Sequence, residues 1–425
     1  MYIPAPLRIR NNKACIEDFS VESLARKFGT PIYVYSESRI RDNYRRLHGA
    51  FASHYPNFEV IFSAKSNGNP AISRILADEG SGMDACNPSE IWLGKSVGLP
   101  SSKLLYTGNY CTDEELNYGV RHCSRINLDD AVMLPRLLQF GKPDILSFRI
   151  NPGFGKASIK TNVVAGPEAK FGIPAGKALE AYALAKKSGI RRFGMHMMTG
   201  SCVLEPEYFE NITGNLLDIA GTIARKLGIR FEFIDIGGGF GIPYRPDEQY
   251  LDMEKTGRLV AEIFRKKCAE HRLGDVTLMV EPGRYFVGDA GVLIGRVQMI
   301  KESYQQFAGI DVNMNHLVRP KMYGAYHHII VANKWNRAAK YPTNVCGSLC
   351  DSGDIMAKFR PLPKLERGDL LVIFNAGSYG FSMSSQYNNR PRAREVLVKG
   401  RRAAVIREAE QTEDLFLRCK NAPWL

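Results

Sequence analysis

Phe58-Glu59-Val60-Ile61-Phe62-Ser63-Ala64-Lys65-Ser66-Asn67 opens the regular part of the chain. Its first five residues are an apolar run that reads as a strand, and Lys65 stands where that strand ends. A lysine so placed projects into a pocket at the sheet edge. Partly desolvated there, its amine sheds charge more easily and becomes a nucleophile. Alone, Lys65 reads first as a solvated charge or half of an ion pair.

Seven similar runs follow, at 82–86, 103–107, 125–128, 145–150, 193–198, 231–236 and 277–280, each separated from the next by helical patterning. Within 208–227, Ile212, Leu216, Ile219, Ile223 and Leu227 share one face at 3.6-residue spacing. Eight strands with crossover helices predict a closed (β/α)8 barrel, with a doubly wound open sheet as the alternative. After Arg284 short alternating segments take over, at 292–300, 328–331, 370–374 and 392–398, which predicts an all-β domain. The expected division is an N-terminal segment, 1–35, whose strand joins the β domain, then the barrel, 36–285, and the C-terminal β domain, 286–425.

The 44% hydrophobic and 24% charged content excludes a disordered chain. No apolar run reaches the ~20 residues that span a bilayer. The net charge of +13 comes from scattered Lys and Arg, without zinc-finger spacing or an RNA-binding signature. The expectation is a basic surface suited to acidic small molecules, with no nucleic-acid or membrane partner. The N-terminus lacks the basic-then-apolar order of a secretory signal, and the nine cysteines include no C-x-x-C pair. Both point to a cytoplasmic, reducing location.

In a barrel, strand C-termini and the loops after them build the active site. That rule collects Lys65, 84–87, 108–109, 149–152, 196–201, 235–241 and 281–284. The run Gly237-Gly238-Gly239-Phe240-Gly241 suits a phosphate cradle, to which Ser201 adds a hydroxyl; tight strand-to-helix packing is the other explanation. Glu281-Pro282-Gly283-Arg284 supplies a carboxylate able to keep a pyridinium protonated and a guanidinium for phosphate or carboxylate. Together these specify pyridoxal 5'-phosphate: an aldehyde for Lys65, a ring nitrogen for Glu281 and a phosphate for the glycines.

From about Phe19 through Val398 the chain resembles the barrel-type (fold type III) pyridoxal-phosphate decarboxylases, most closely the diaminopimelate decarboxylase branch. The matching stretches are Ala64-Lys65-Ser66-Asn67, Arg149-Ile-Asn-Pro152, Lys170-Phe-Gly-Ile173, Gly237-Gly-Gly239, Glu281-Pro-Gly-Arg284, Arg319-Pro-Lys-Met-Tyr323, Cys350-Asp-Ser-Gly-Asp354, Asn375-Ala-Gly-Ser-Tyr379-Gly and Tyr387-Asn-Asn-Arg-Pro-Arg392. The resemblance implies a homodimer with shared active sites and a small-molecule amino-acid substrate, meso-diaminopimelate, converted to L-lysine and CO2. It gives Lys65 the Schiff-base role and Glu281 the ring nitrogen. Ser201, Gly239 and Arg284 become phosphate-side contacts, with Asp84, Met198, Gly238 and Gly283 in the same cofactor pocket. Cys350 takes the place of the general acid, reaching across the dimer. Tyr379 falls where cofactor and substrate meet. Arg319, Tyr323, Arg284 and Asp351 fall around the substrate.

Three departures surround that substrate. The histidine that stacks on the cofactor ring in the family is Met198, the glutamate after the catalytic cysteine is Asp351, and the loop 152–169 lacks the usual threonine pattern. A decarboxylase of another or carrier-tethered amino acid is therefore a rival reading, as is a racemase of the same barrel class. A pyridoxal-phosphate-binding regulator without catalysis is the alternative of another class, opposed by the presence of both Lys65 and Cys350. His196 reads as a packed barrel residue and His327-His328 as structure; no metal site is expected.

Overall fold

A computed structural model describes residues 2–159 and 163–424. The chain divides into two compact units, 41–243 with 249–286, and 1–40 with 244–248 and 287–425.

The first unit is the barrel. Its strands are Phe58–Ser63 (β1), Gly82–Ala85 (β2), Leu104–Tyr106 (β3), Arg125–Leu128 (β4), Ile145–Phe148 (β5), Phe193–His196 (β6), Phe231–Asp235 (β7) and Thr277–Val280 (β8). They pair in parallel and in sequence order, and β8 closes on β1 through Leu278 opposite Phe58. Each strand is a short apolar run because a barrel strand is covered on both faces, by the interior and by the helices. One interior layer joins Ile61, Leu105, Ile145 and Phe233, from β1, β3, β5 and β7, with Met279 of β8. Gly194 of β6 leaves room for the Phe233 ring, since a Cβ there would lie 2.2 Å from it.

Helix starts follow directly from sequence. Asn69 and Asn87 cap helices Pro70–Asp78 and Pro88–Ser96, each with proline in the first turn, and Thr112 and Glu115 form a capping box on Asp113–His122. Helix Pro206–Leu227 ends on Gly228 in the left-handed conformation. Among the described residues no helix is long and apolar enough to cross a membrane.

The second unit is built on a nine-stranded sheet. Ile32–Ser36 lies between Gly291–Glu302, antiparallel to it, and Arg394–Lys399, parallel to it. Ile355–Leu362 ends one side of the strand path and Arg402–Arg407 the other. The N-terminal strand Leu7–Arg10 pairs instead with Lys13–Ile16 in a separate small sheet, packed on the same apolar core as Val34, Val292 and Val396.

Candidate active site

The turn after β1 sets the lysine. Ala64–Ser66 forms one 3-10 turn, closed by Ser66 Oγ donating to Ser63 O at 2.9 Å. Lys65 Nζ, on a side chain 42% exposed, lies 2.9 Å from Oδ2 of the fully buried Asp84 at the end of β2. The lysine is thus half of an ion pair, but a pair set in a barrel mouth. The Glu281–Arg284 loop packs against this turn: Ser63 Oγ is 3.1 Å from both Asp84 Oδ2 and the Glu281 carbonyl oxygen. Gly283 has to be bare, because a Cβ would sit 2.9 Å from Ser66 Cβ. Arg284 opens a four-residue helix.

Behind the lysine, four strand ends bring Asn127, His196, Asp235 and Glu281 together. Asn127 Nδ2 is 3.0 Å from His196 Nδ1, and Ser147 Oγ donates to Asn127 Oδ1 at 2.8 Å, which orients the amide. The His196 proton therefore sits on Nε2 and points to Glu281 Oε2 at 3.2 Å. Burial pushes the Glu281 carboxyl up, but the His196 hydrogen bond and the Lys65 and Arg149 charges outweigh it and hold it below the ordinary range. Burial, then the Glu281 charge, push the Asp235 carboxyl well above its ordinary range.

The glycine run is shaped by close backbone approach. A Cβ on Gly238 would lie 2.3 Å from Glu281 O, and one on Gly239, whose φ is +93°, 2.7 Å from Gly200 O. Gly237 N–H donates to Asp235 Oδ1 at 2.8 Å and Gly238 N–H to Met198 Sδ at 3.1 Å. The N–H groups of Gly239 and Phe240 meet no protein acceptor among the described residues. Ser201 lies beside them on a short strand, Gly200–Ser201, that pairs with Lys156–Ala157 of the divergent loop. Lys160, Thr161 and Asn162 of that loop lie outside the described residues.

The second unit gathers the remaining candidates. Arg319 and Tyr323 share one short helix. The buried Arg319 guanidinium lies 5.5 Å from the Tyr244 ring and 5.9 Å from that of Tyr323, and its Nε has no hydrogen-bond partner among the described residues. Lys321 of the same helix is 3.8 Å from Asp351 Oδ1. Cys350 is exposed, and its N–H donates to Asn388 Oδ1 at 2.7 Å. Asp351 Oδ1 accepts from Gly353 N–H at 2.7 Å and Oδ2 from the Tyr387 hydroxyl at 3.2 Å. Led by the Gly353 bond, these contacts hold its carboxyl below the usual range. Tyr379 has φ +55° in the loop after Ile373. The segment carrying Tyr387 and Asn388 is pinned by Asn315 Nδ2, 3.2 Å from both Ser385 O and Arg390 O, and by His316 Nε2, 3.2 Å from Pro391 O. His316 Nδ1 accepts from Asn313 N–H at 3.0 Å.

The strand-end rule collected His196 and Asp235 but gave neither a task. His196 is indeed packed in the barrel, against Glu281. Asn127 carried no signal as a site residue; Tyr387 and Asn388 fell in a matching stretch but were given no role.

A strand-end lysine, a carboxylate with a buried oxygen (Glu281 Oε1) and two backbone N–H groups without a partner among the described residues are the groups that pyridoxal phosphate requires. They define a barrel enzyme of the pyridoxal-phosphate class. The family model described as "Pyridoxal-dependent decarboxylase, pyridoxal binding domain" matches residues 39–288, and the chain belongs to that family. It is 45% identical over 401 residues to diaminopimelate decarboxylase of Methanothermobacter thermautotrophicus, covering 94% of each chain. Protein TabA of Pseudomonas amygdali pv. tabaci is 32% identical over 395 residues, 93% of this chain and 92% of that one. The crystal structure of diaminopimelate decarboxylase from M. jannaschii in complex with L-lysine superposes with a TM-score of 0.89 at 32% identity, covering 99% of both chains.

Proposed function

We propose that the chain decarboxylates meso-diaminopimelate to L-lysine and CO2. The observation that carries this reading is the meeting of Lys65 on Asp84, the buried Glu281 and the glycine run in one barrel mouth. Support for the substrate comes from the 45% identity with a diaminopimelate decarboxylase and the likeness to one that binds L-lysine.

Lys65 would hold the cofactor's aldehyde carbon, with Asp84 steadying the amine. Glu281, charged and oriented by His196, would keep the ring nitrogen protonated. The Gly239 and Phe240 N–H groups, with Ser201, Gly238 and Arg284, would take the phosphate, while Met198 packs beside them. Pyridoxal phosphate supplies the electron sink that lets the α-carboxylate leave as CO2. Arg319, Tyr323 and Tyr379 are assigned to the substrate, Arg319 to its distal carboxylate, where a buried guanidinium with an open Nε has most to gain from an anion. Cys350 returns a proton to the α-carbon. Its exposure suits a homodimer in which each copy serves the other's barrel. The nine free thiols suit a cytoplasmic location.

One observation favours a second reading, decarboxylation of another or carrier-tethered amino acid. Both oxygens of Asp351 are already engaged, by Gly353 and Tyr387, and the residue stands where a free carboxylate would grip a distal amine. Incubation with meso-diaminopimelate tests both: release of CO2 and lysine is expected, and turnover of a different amino acid alone would replace the first reading with the second. Lys65→Ala should abolish the cofactor's absorption; an unchanged spectrum would refute the cofactor assignment.

A further inference from the structure

Asp235 is a fully buried carboxyl at the end of β7 to which the decarboxylation scheme gives no task. It lies in a buried cluster with His196 and Glu281, one ring nitrogen or carboxylate oxygen of each within 4.8 Å of the others. Asp235 Oδ1 accepts from Gly237 N–H. Its Oδ2 and the facing carboxylate's Glu281 Oε1 are both buried and both without a hydrogen-bond partner among the described residues.

We propose that Asp235 is a positioning residue held as the neutral acid, whose proton rests on the Glu281 carboxylate and fixes where that carboxylate points. Two acceptor-only oxygens cannot both stay bare and charged at this separation away from water, and one proton between them satisfies both. The surrounding charges decide which group keeps it. His196, Lys65 and Arg149 all act on Glu281 and favour its ionised form. Asp235 faces Glu281 and Asp84, both acidic, and the Gly237 N–H is the contact that favours its charge. The proton therefore belongs to Asp235. A carboxylate oxygen has two lone pairs, so Glu281 Oε1 takes the Asp235 proton on one and keeps the other for a ring nitrogen. Because Glu281 N–H also donates to Gly237 O at 2.9 Å, the acid ties the glycine run and the ring-facing carboxylate into one unit. The catalytic consequence rests on Glu281 as the ring-nitrogen partner.

Infrared difference spectroscopy of the holoenzyme tests the proton directly. Wild type should show a protonated-carboxyl band that persists from about pH 6 to about pH 9, well above the ordinary aspartate range. The band should vanish in Asp235→Asn and, with the Glu281 charge gone but the burial kept, titrate at lower pH in Glu281→Gln than in wild type. The asparagine amide can donate to Glu281 while its oxygen still accepts from Gly237, so the pH midpoint of the cofactor's absorption should match wild type. Asp235→Ala, without the donor, should move it by about one unit or more. Absence of the band in wild type overturns the proposal, as does an Asn variant whose midpoint shifts as far as that of Ala. If the Asn variant does not fold, the wild-type band and its response to Glu281→Gln decide. Loss of the cofactor's absorption in wild type would sink the decarboxylase reading instead, and would leave the infrared band in place.

Discussion

His316 gives a quantitative test of how the second unit holds its candidate residues. Its Nδ1 accepts from Asn313 N–H and its Nε2 donates to Pro391 O, so the neutral ring is the only form both contacts allow. A proton added at Nδ1 would face the Asn313 N–H. Burial is the main cause that lowers the ring to about 4, from 6.5. The unfolded chain therefore binds the proton first. The stability contributed by neutral His316 is whole above the unfolded value and is lost as pH falls toward about 4. At 1.36 kcal/mol per unit the full loss is about 3 kcal/mol, of which about 2 kcal/mol falls between pH 6.5 and pH 4.5. Urea unfolding of wild type and His316→Gln between about pH 6.5 and pH 4.5 measures it. Wild type should lose that much more stability than the variant over the interval. His328, also lowered to about 4 by burial, titrates in both chains and cancels in the difference. Parallel curves would refute the argument.

Gly239→Ala should cost about 2–4 kcal/mol in urea unfolding and weaken cofactor binding, because the new Cβ at φ +93° would press on the Gly200 backbone. Asn388→Ala, which removes the acceptor of the Cys350 N–H, should lower kcat about tenfold, the worth of roughly one hydrogen bond, with the cofactor spectrum unchanged. Mixing inactive Lys65→Ala with inactive Cys350→Ala, after subunit exchange, should restore about a quarter of wild-type activity if each site draws on two copies, and none if it draws on one.

The barrel was legible because each of its strands is a compact apolar run between helical patterns, and all eight appear within one or two residues of the expected ends. The second sheet was half legible. Gly291–Glu302 and Leu370–Ile373 are apolar enough to announce themselves. Tyr341–Cys346 and Ile355–Leu362 are not: they carry Pro342, Pro361, Lys358 and Arg360, the marks of turns and surface, and their pairing with each other is what makes them strands. In the site, Lys65, Asp84 and Glu281 were read from types and strand ends. The Asn127–His196–Glu281 chain was hidden because its members come from β4, β6 and β8, up to 154 positions apart, and meet only when the barrel closes. Met198 was expected beside the cofactor ring; the bond from Gly238 N–H to its sulfur is a contact that no motif encodes.

The two ends of the nine-stranded sheet bear on how the protein behaves when crowded. Ile355–Leu362 presents Lys358 and Pro361 to any incoming strand, and Phe359 at φ +46° kinks its backbone. Arg402–Arg407 has an arginine at either end. A strand from another molecule would meet charge, a missing N–H and a bend instead of a flat ladder, the devices by which sheets resist edge-to-edge aggregation. Ile355–Leu362, one of the strands hardest to read from the sequence, is thus also one that guards the sheet against fibril-like growth.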